Sequence, residues 1–431
     1  MNSQMHNTNV ILNTPTESGT SRVFKHIDLL DPSGFDKHCK SLTPSQLEFV
    51  HLIQEWFQAP HPLVCLVTGG PGTGKTFTVI QTLYFVNANI LKVAPTNKVA
   101  RAIRGMTIHT AFQLKWVEGT RLHSISETIN GLDNKDFEHD AYISTCLKAS
   151  ADISEKELNC PYSDLHMVVI DEIGMVPFWL TYQLIVYLFK TFRPLLIVLM
   201  GDEHQLRPVR CSYNVFDVNL PDIPMKRITL TENNRFTPEY QVTIEQLKIL
   251  INHFEQMTHY VRCHYPVYNY MTETLFRKCN AILAYQNNSV ARYNEQYLDL
   301  LPGPSILLLK LSTPQTFEEA IRVKMGCRVM STSNKNVPKG TVMTFISYDN
   351  KNDTITCQLS DEKFVTLLRS SYTSNFPIEM AFATTIHKFQ GDTIDHSIVI
   401  DFDYATNAHL VYTALSRVKS LHQILGIVHM V

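Results

Sequence analysis

The sequence predicts an α/β protein built from two domains with parallel sheets, on the basis of three observations. Wholly apolar segments of strand length alternate with helical segments over residues 63–202, and the same alternation returns over residues 281–430. Strands that are apolar along their whole length are typical of parallel sheets covered by helices on both faces. A glycine-rich turn, GGPGTGKT, connects the first such strand to a helix. With 431 residues, the chain is long enough for two cores of ordinary size.

The first domain is predicted over residues 41–235. Its first helix lies in LTPSQLEFVHLIQEWF, where Thr43 suits the N-cap and Pro44 the first helical position. The following elements are predicted at LVCLVTG (63–69), TFTVIQTLYFV (76–86), ILKVAP (90–95), NKVARAIRG (97–105), MVVID (167–171), VPFWLTYQLIVYLFKTF (176–192) and LLIVLMGD (195–202). A polar, weakly periodic segment at about 115–160 is interpreted as an insertion, and the Asn-, Ser- and Thr-rich residues 1–40 as a mobile tail.

The second domain is predicted over residues 236–431. Its elements are predicted at AILAY (281–285), SVARYNEQYLDLL (289–301), HSIVIDFD (396–403) and ILGIVHM (424–430). Within it, GTVMTFISYDN, DTITCQLS and KFVTLLRS alternate apolar and polar residues between turn-like segments. This pattern predicts a small antiparallel β insertion at about 335–376.

Composition and charge exclude several classes of protein. The net charge of −2 is not that of a general nucleic-acid coat protein, so any such contact must come from local patches or backbone groups. No apolar run approaches the roughly 20 residues of a membrane span, and the first residues lack the order of a signal peptide. The nine cysteines are scattered singly, which argues against a disulfide framework or a zinc site. We therefore expect an intracellular protein without a membrane anchor.

The turn Gly69-x-x-x-x-Gly74-Lys75-Thr76 has the spacing of a phosphate-binding loop, and its position between a strand and a helix supports that interpretation. Glycines let backbone N–H groups approach phosphate, and the helix N-terminus adds partial positive charge. Lys75 can reach the β and γ phosphates of a nucleotide, and the Thr76 hydroxyl can ligate Mg²⁺.

Two further strands end in groups suited to the same chemistry. Asp171 and Glu172 follow MVVI, where one carboxylate suits a Mg²⁺ ligand and the other suits polarising the attacking water. Gln205, in GDEHQLRPV, can bond both water and a γ-phosphate. Arg235 in LTENNRF and Arg417 in YTALSRVKS carry guanidinium forks that can stabilise a transferring phosphoryl group. Isolated arginines are usually solvated, so the assignment of these two to the site depends on the order of motifs described next.

In order along the chain, these blocks resemble the motifs of superfamily-1 helicases of the B subgroup, which includes RecD, Dda and the petite-integration-frequency family. The matching blocks are LTPSQ, GGPGTGKT, APTNKVARAI, TIHTAF, VVIDEIGMV, GDEHQLRPV, LTENNRF, TTIHKFQGDTID and YTALSR. They extend from about residue 42 to residue 420, and the last blocks are highly specific. Phe389 replaces a smaller residue of the family pattern and could stack on a base or pack inward.

The resemblance implies two RecA-like domains of the phosphate-loop NTPase class, with ATP and Mg²⁺ between them and single-stranded DNA across both. The first insertion would be a hairpin or wedge that meets the duplex, with Phe112, Trp116, Phe137 and Tyr142 as candidates for its tip, and the second would be SH3-like. Catalytic roles are implied for Lys75, Thr76, Asp171, Glu172, Gln205, and, as arginine fingers, Arg235 and Arg417. Nucleotide binding is implied for Gln46, Gly70, Pro71, Gly72, Thr73, Gly74, Lys75, Thr76 and Gly391, and Mg²⁺ binding for Thr76 and Asp171. Strand binding is implied for Thr96, Asn97, Thr107, His109, Thr385, His387 and Lys388.

The resemblance therefore implies an ATP-dependent helicase that moves 5′ to 3′ on single-stranded DNA and acts at junctions with duplex. We expect a monomer. Three alternatives share many of these features: a translocase that displaces proteins but unwinds poorly, an RNA helicase, and a scaffold without ATPase activity. Phosphate contacts discriminate sugars weakly, so RNA stays open. The intact set of catalytic side chains argues against the scaffold.

Overall fold

A computed structural model describes residues 29–114, 158–208, 211, 213–218, 223–308, 321–333, 335–369 and 375–430. The first domain contains a six-stranded, wholly parallel sheet in the order β3-β2-β4-β5-β1-β6. Its strands are β1 Leu63–Gly69, β2 Ile90–Ala94, β3 Met106–Thr107, β4 Met167–Ile170, β5 Leu196–Gly201 and β6 Met225–Leu230. The four strands predicted from apolar runs are all present.

Helices cover both faces of this sheet. They are α1 Pro32–Ser41, α2 Pro44–Gln58, α3 Lys75–Tyr84, α4 Asn97–Ala102, α5 Ile108–Ala111 and α6 Phe178–Thr191. Alternate residues of β1 enter opposite cores: Val64 and Leu66 pack on the side of α6, whereas Cys65 and Val67 pack on the side of α2. Burial of successive side chains on opposite faces explains why these strands are apolar throughout.

The prediction of a tail up to residue 40 is wrong for its last part, because Pro32–Ser41 is a helix. Asp31 caps it, with the carboxylate accepting from the Gly34 N–H at 3.0 Å. Phe35 is buried and packs edge-to-face on Phe85, with ring centroids 5.9 Å apart. Residues 1–28 lie outside the described residues.

The second domain contains a five-stranded parallel sheet in the order β16-β8-β17-β18-β7. Its strands are β7 Val267–Tyr268, β8 Ala281–Ala284, β16 Ala383–Thr385, β17 Ile398–Asp401 and β18 Ile424–Val428. Its helices are α7 Pro238–Ile249, α8 Phe254–His264, α9 Glu273–Lys278, α10 Asn287–Leu300 and α11 Ala408–Leu415. Tyr240, Ile244 and Leu247 of α7 share a core with α11.

Between β8 and β16 the chain forms two antiparallel sheets. A two-stranded sheet pairs β9 Ile306–Leu308 with β10 Ile321–Val323. A five-stranded sheet follows in the order β14-β13-β12-β11-β15, with β11 Arg328–Ser331, β12 Val342–Asp349, β13 Thr354–Gln358, β14 Phe364–Leu368 and β15 Ile378–Met380. The three strands predicted from alternation are β12, β13 and β14, and the sheet extends beyond the predicted segment at both ends.

The structure describes only part of the chain that bears on two other expectations, the aromatic tip of the first insertion and the lack of a membrane span. The tip candidates Trp116, Phe137 and Tyr142 lie outside them, but Phe112 is fully buried in the first core and cannot be an exposed tip. Within the part of the chain that the structure describes, no helix has both the length and the apolar character needed to cross a membrane.

Candidate active site between the two sheets

The turn between β1 and α3 has the shape of a loop that surrounds a phosphate. Gly72 and Gly74 adopt φ values of +84° and +80°, which side chains with a Cβ rarely allow. A Cβ on Gly72 would lie 2.4 Å from the Cβ of Arg235. The Lys75 ammonium donates to the carbonyls of Gly69, at 2.7 Å, and Gly70, at 3.0 Å. These bonds hold the loop in its curved form.

Two carboxylates follow β4, directly beside the start of α3. The Thr76 hydroxyl donates to Asp171 Oδ2 at 2.9 Å, and the Glu172 N–H donates to Asp171 Oδ1 at 2.8 Å. Glu172 has a φ of +52°, a left-handed conformation that turns the chain sharply at this point. Burial raises the pKa of Asp171, and burial together with the Asp171 charge raises the pKa of Glu172 to about 7.

The loop after β5 connects these groups to the second domain. The Gln205 amide donates to Asp202 Oδ2 at 3.1 Å, and the Tyr412 hydroxyl of α11 donates to the same oxygen at 3.2 Å. Gln390 Nε2 lies 3.5 Å from Gln205 Oε1. The Leu206 N–H also donates to a side chain of α11, the Thr413 hydroxyl, at 2.9 Å. Gln205 is therefore positioned to respond to movement of the second domain.

Both candidate arginines lie at the same cavity as the phosphate loop. Arg417 is 1% exposed, and its guanidinium donates to the carbonyls of Thr413, at 2.9 Å, and Asp392, at 3.2 Å. Burial, and secondly the charge of Arg417, lowers the pKa of Arg235 to about 10. Two guanidinium groups that disfavour each other's charge form a site that favours an anion.

A cavity of about 500 Å³ brings these groups together. It is lined by Pro71, Gly72, Gly74, Lys75, Thr76, Phe77, Asp171, Glu172, Gln205, Asn234, Arg235, Gly391, Thr393, Arg417 and Lys419. Gly70 instead lines an adjacent cavity of about 350 Å³. Because that second cavity also presents Glu203 and Glu245, it is the poorer site for phosphate.

Gln46 supports the phosphate loop from behind. Its Nε2 donates to the Thr73 carbonyl at 3.0 Å, and its Oε1 accepts from the Thr43 N–H at 3.1 Å. The side chain is 4% exposed, so both ends of its amide are engaged within the protein. Recognition of adenine by Gln46 stays a prediction that would require one of these bonds to be exchanged.

The predicted strand-binding residues form two groups, one at the end of each sheet. In the first domain, the hydroxyls of Thr96 and Thr107 cap α4 and α5, accepting from the N–H groups of Val99 at 3.4 Å and Thr110 at 3.2 Å. Asn97 and His109 lie in the first turns of α4 and α5, and His109 is exposed.

In the second domain, the corresponding residues follow β16. The Thr385 hydroxyl accepts from the Lys388 N–H at 3.2 Å, and the exposed Lys388 ammonium pairs with Glu379 at 2.9 Å. His387 is half-buried, with its ring centroid 6.1 Å from that of Tyr285. The threonines thus have a capping role in the fold, and strand contact stays a prediction for all seven residues.

The sequence analysis missed two charged residues near this site, neither of which lines its cavity. Glu232 accepts from the hydroxyls of Thr43, at 3.0 Å, and Ser45 at the start of α2. Lys98, in the first turn of α4, pairs with Asp392 of the second domain. Both lie inside quoted motifs, but their partners are distant in sequence, so spacing carries no signal for either contact.

The chain is similar to known helicases in sequence and in structure. Residues 54–210 match a family model described as an AAA domain. A relative named ATP-dependent DNA helicase Pif1, from Bdellovibrio bacteriovorus, is 25% identical over 394 residues, which cover 82% of each protein.

Two solved structures show the same fold at low identity. The Pif1 helicase from Candida albicans has a TM-score of 0.62 and 19% identity, with 90% of this chain and 94% of that chain covered. A Pif1 helicase from Bacteroides, in complex with ADP-AlF3 and ssDNA, has a TM-score of 0.60 and 19% identity, with 89% and 92% covered. The two structures show the fold of two RecA-like domains, and the sequence similarity to the Bdellovibrio protein confirms the resemblance to Pif1-type helicases.

Proposed function

We propose that this chain, with the two RecA-like domains of Pif1-type helicases, is an ATP-dependent DNA helicase that moves 5′ to 3′ on single-stranded DNA. The observation that carries the proposal is the shared cavity, where Lys75 of one domain and Arg417 of the other line the same space. A nucleotide bound there would hold the two domains together, and its hydrolysis would release them. The similarity to the Bdellovibrio Pif1 over most of both chains supports this function.

The side chains divide the chemistry of ATP hydrolysis among them. The Lys75 ammonium would stabilise the β and γ phosphates, and the Glu172 carboxylate would orient the attacking water. Gln205 would contact the water and the γ-phosphate. Arg235 and Arg417 would stabilise the charge that spreads over the transferred group.

Thr76 and Asp171 fit a Mg²⁺ ion. Their hydroxyl and carboxylate oxygens lie 2.9 Å apart, and hard oxygen ligands are those that Mg²⁺ prefers. The raised pKa of Asp171 reflects a carboxylate removed from water, a cost that a bound dication would offset. Thr76 and Asp171 would hold the ion, and its positive charge would offset the charge of the phosphates.

Single-stranded DNA would lie across the ends of the two sheets. The residues that would contact it there are Thr96, Asn97, Thr107, His109, Thr385, His387 and Lys388. Hydroxyls, amides and imidazoles bond phosphates without recognising bases, so the strand would be held largely independently of sequence. This set contains a single lysine, which is consistent with the small net charge. We further propose that the chain acts inside the cell and as a monomer, at junctions of single-stranded and duplex DNA.

ATP hydrolysis and strand displacement together test the proposed function. ATPase rates would be measured without nucleic acid and with DNA or RNA oligomers of equal length. Unwinding would then be followed on duplexes with either a 5′ or a 3′ single-stranded tail. Stimulation by DNA and unwinding of only the 5′-tailed duplex are the expected results.

Each other outcome would replace the proposal by a definite alternative. Stimulation without strand displacement would identify a translocase, and a preference for RNA would identify an RNA helicase. The absence of hydrolysis with any nucleic acid would identify a scaffold.

A further inference from the structure

Helix α4 contacts the second domain immediately beside the proposed ATP site. The Lys98 ammonium pairs with the Asp392 carboxylate, and the side chains of the two residues are 33% and 32% exposed. Val99, the next residue, lies close to Gly391: a Cβ added to Gly391 would be 3.0 Å from Val99 Cγ2. The end of α4 that carries the predicted strand-binding residues is thus attached to the loop after β16.

The aromatic ring of Phe389 forms one side of this contact. The Lys98 ammonium lies 4.8 Å from the ring centroid, within the range of a cation–π interaction. Phe389 itself packs against the core of the second domain, which favours the inward orientation of this ring over stacking on a base. Burial and the nearby charge of Arg417 lower the pKa of Lys98 to about 8, consistent with an ammonium that is partly buried where the two domains meet.

Asp392 connects Lys98 to the candidate arginine finger. Its carboxylate holds Lys98, and its backbone carbonyl accepts from Arg417 Nη1 at 3.2 Å. A displacement of α4 would therefore be transmitted to the Arg417 guanidinium through Asp392 alone. Arg417 is almost fully buried, so water cannot replace a hydrogen bond that its guanidinium loses.

We propose that Lys98 is a positioning residue that couples strand binding at α4 to the placement of Arg417, through Asp392. The inference rests on the proposed function, since it requires a strand beside Thr96 and ATP beside Lys75. The coupling is nevertheless distinct from helicase activity itself, because a helicase could use every predicted catalytic group without the contact between Lys98 and Asp392. Lys98 could instead bind a DNA phosphate directly, but its ammonium is already engaged by Asp392.

Substitution of the two partners, singly and together, tests the coupling. The variants are Lys98→Ala, Lys98→Gln, Asp392→Asn, the double variant of Lys98→Ala with Asp392→Asn, and the exchange of Lys98→Asp with Asp392→Lys. Lys190→Ala, at an exposed lysine in the last turn of α6, is the matched control. The measurements are kcat and KM for ATP with and without oligothymidylate, and the affinity for labelled oligothymidylate by anisotropy.

The single variants should lose about tenfold in DNA-stimulated kcat, a loss typical of a coupled pair. The kcat without DNA, the KM for ATP and the DNA affinity should stay within about twofold of the unsubstituted protein. The DNA-stimulated kcat of the double variant should be no lower than that of the more impaired single variant. Each single substitution already removes the contact between Lys98 and Asp392, so the second substitution removes nothing further. The charge exchange should recover most of the stimulation, which a purely structural defect would not allow.

Three results would overturn the inference. Full stimulation in the single variants, or additive losses in the double variant, would show that the pair is not coupled. A lower DNA affinity with a salt slope reduced by about one would show that Lys98 binds a phosphate instead. If the unsubstituted protein were not stimulated by DNA, the proposed function itself would fail and the inference with it.

Discussion

Lys75 has two roles at the scale of a single residue. Its ammonium binds the Gly69 and Gly70 carbonyls and so fixes the phosphate loop, while its charge faces the cavity shared with Arg417. Burial lowers its pKa, whereas the carboxylates of Asp202, Glu172 and Asp171 oppose that shift. Bound phosphates would add to the groups that favour the charged form.

Lys75→Ala should reduce DNA-stimulated ATP turnover by at least about 100-fold, because both the loop bonds and the phosphate contact are lost. Binding of single-stranded DNA should stay measurable, since the predicted strand contacts lie elsewhere. Steady-state ATPase assays and anisotropy on one preparation check this. Persistent turnover would show that the ATP site is misassigned.

His387 tests the strand path. Burial lowers its pKa, so the imidazole is neutral at physiological pH and would contact a phosphate as a neutral donor. His387→Ala should weaken stimulation by DNA more than the affinity for ATP, whereas His387→Gln should retain more of the stimulation. A titration of ATPase rate against oligothymidylate compares the two variants. An unchanged DNA dependence in both would remove His387 from the strand path.

At the scale of elements, the Glu232 carboxylate attaches α2 to the segment after β6. Glu232 accepts from the hydroxyls of Thr43 and Ser45, and these bonds lower its pKa to about 2. Since Gln46 extends from the same helix to the phosphate loop, the attachment also fixes the support of that loop.

Glu232→Gln should lower the free energy of unfolding by about 1 kcal/mol near neutral pH, because charge-assisted bonds become neutral ones. A carboxylate with a lowered folded-state pKa contributes stability above its unfolded pKa, and loses it as pH falls toward the folded value. The difference between variant and parent should therefore shrink from about pH 4.5 downward. Urea unfolding across this range measures it, with Glu48→Gln, at an exposed site on α2, as the control. A difference independent of pH would contradict the account.

The sequence predicts those elements whose burial is complete or strictly alternating. Strand β5 is wholly buried, β1 is buried at all but its two end residues, and β13 alternates, so the burial of each strand is visible as a pattern in the sequence. Strand β6, at the edge of its sheet, exposes Lys226 and Arg227 and lacks either pattern. Helix α1 buries little more than Phe35 and His38, so it resembles the polar segment before it.

The candidate site is predictable where a motif fixes the backbone, and less so where distant segments meet. The phosphate loop, Asp171 and Glu172 follow from local spacing after buried strands. The pair of Lys98 with Asp392 joins residues 294 positions apart, and the contact of Glu232 with Ser45 joins residues 187 apart. The first pair depends on how the two domains meet and the second on how α2 packs beside β6, and no local pattern specifies either.

At the scale of the whole molecule, two parallel sheets supply opposite sides of one cavity. The first sheet provides the phosphate loop and both carboxylates, and the second provides Gly391 and Arg417. Loop residues after β5 bond to α11, so the domains also meet beside the cavity. The central claim is that a nucleotide held by one domain is completed by an arginine of the other.

ATP hydrolysis by Arg417→Lys, in the presence of single-stranded DNA, tests this claim most directly. Lysine keeps the charge but lacks the planar fork, and an arginine finger contributes about 10³-fold or more to turnover. We expect kcat to fall by about that factor while binding of a fluorescent ATP analogue changes by less than about threefold. Turnover at the rate of the unsubstituted protein would contradict the shared site.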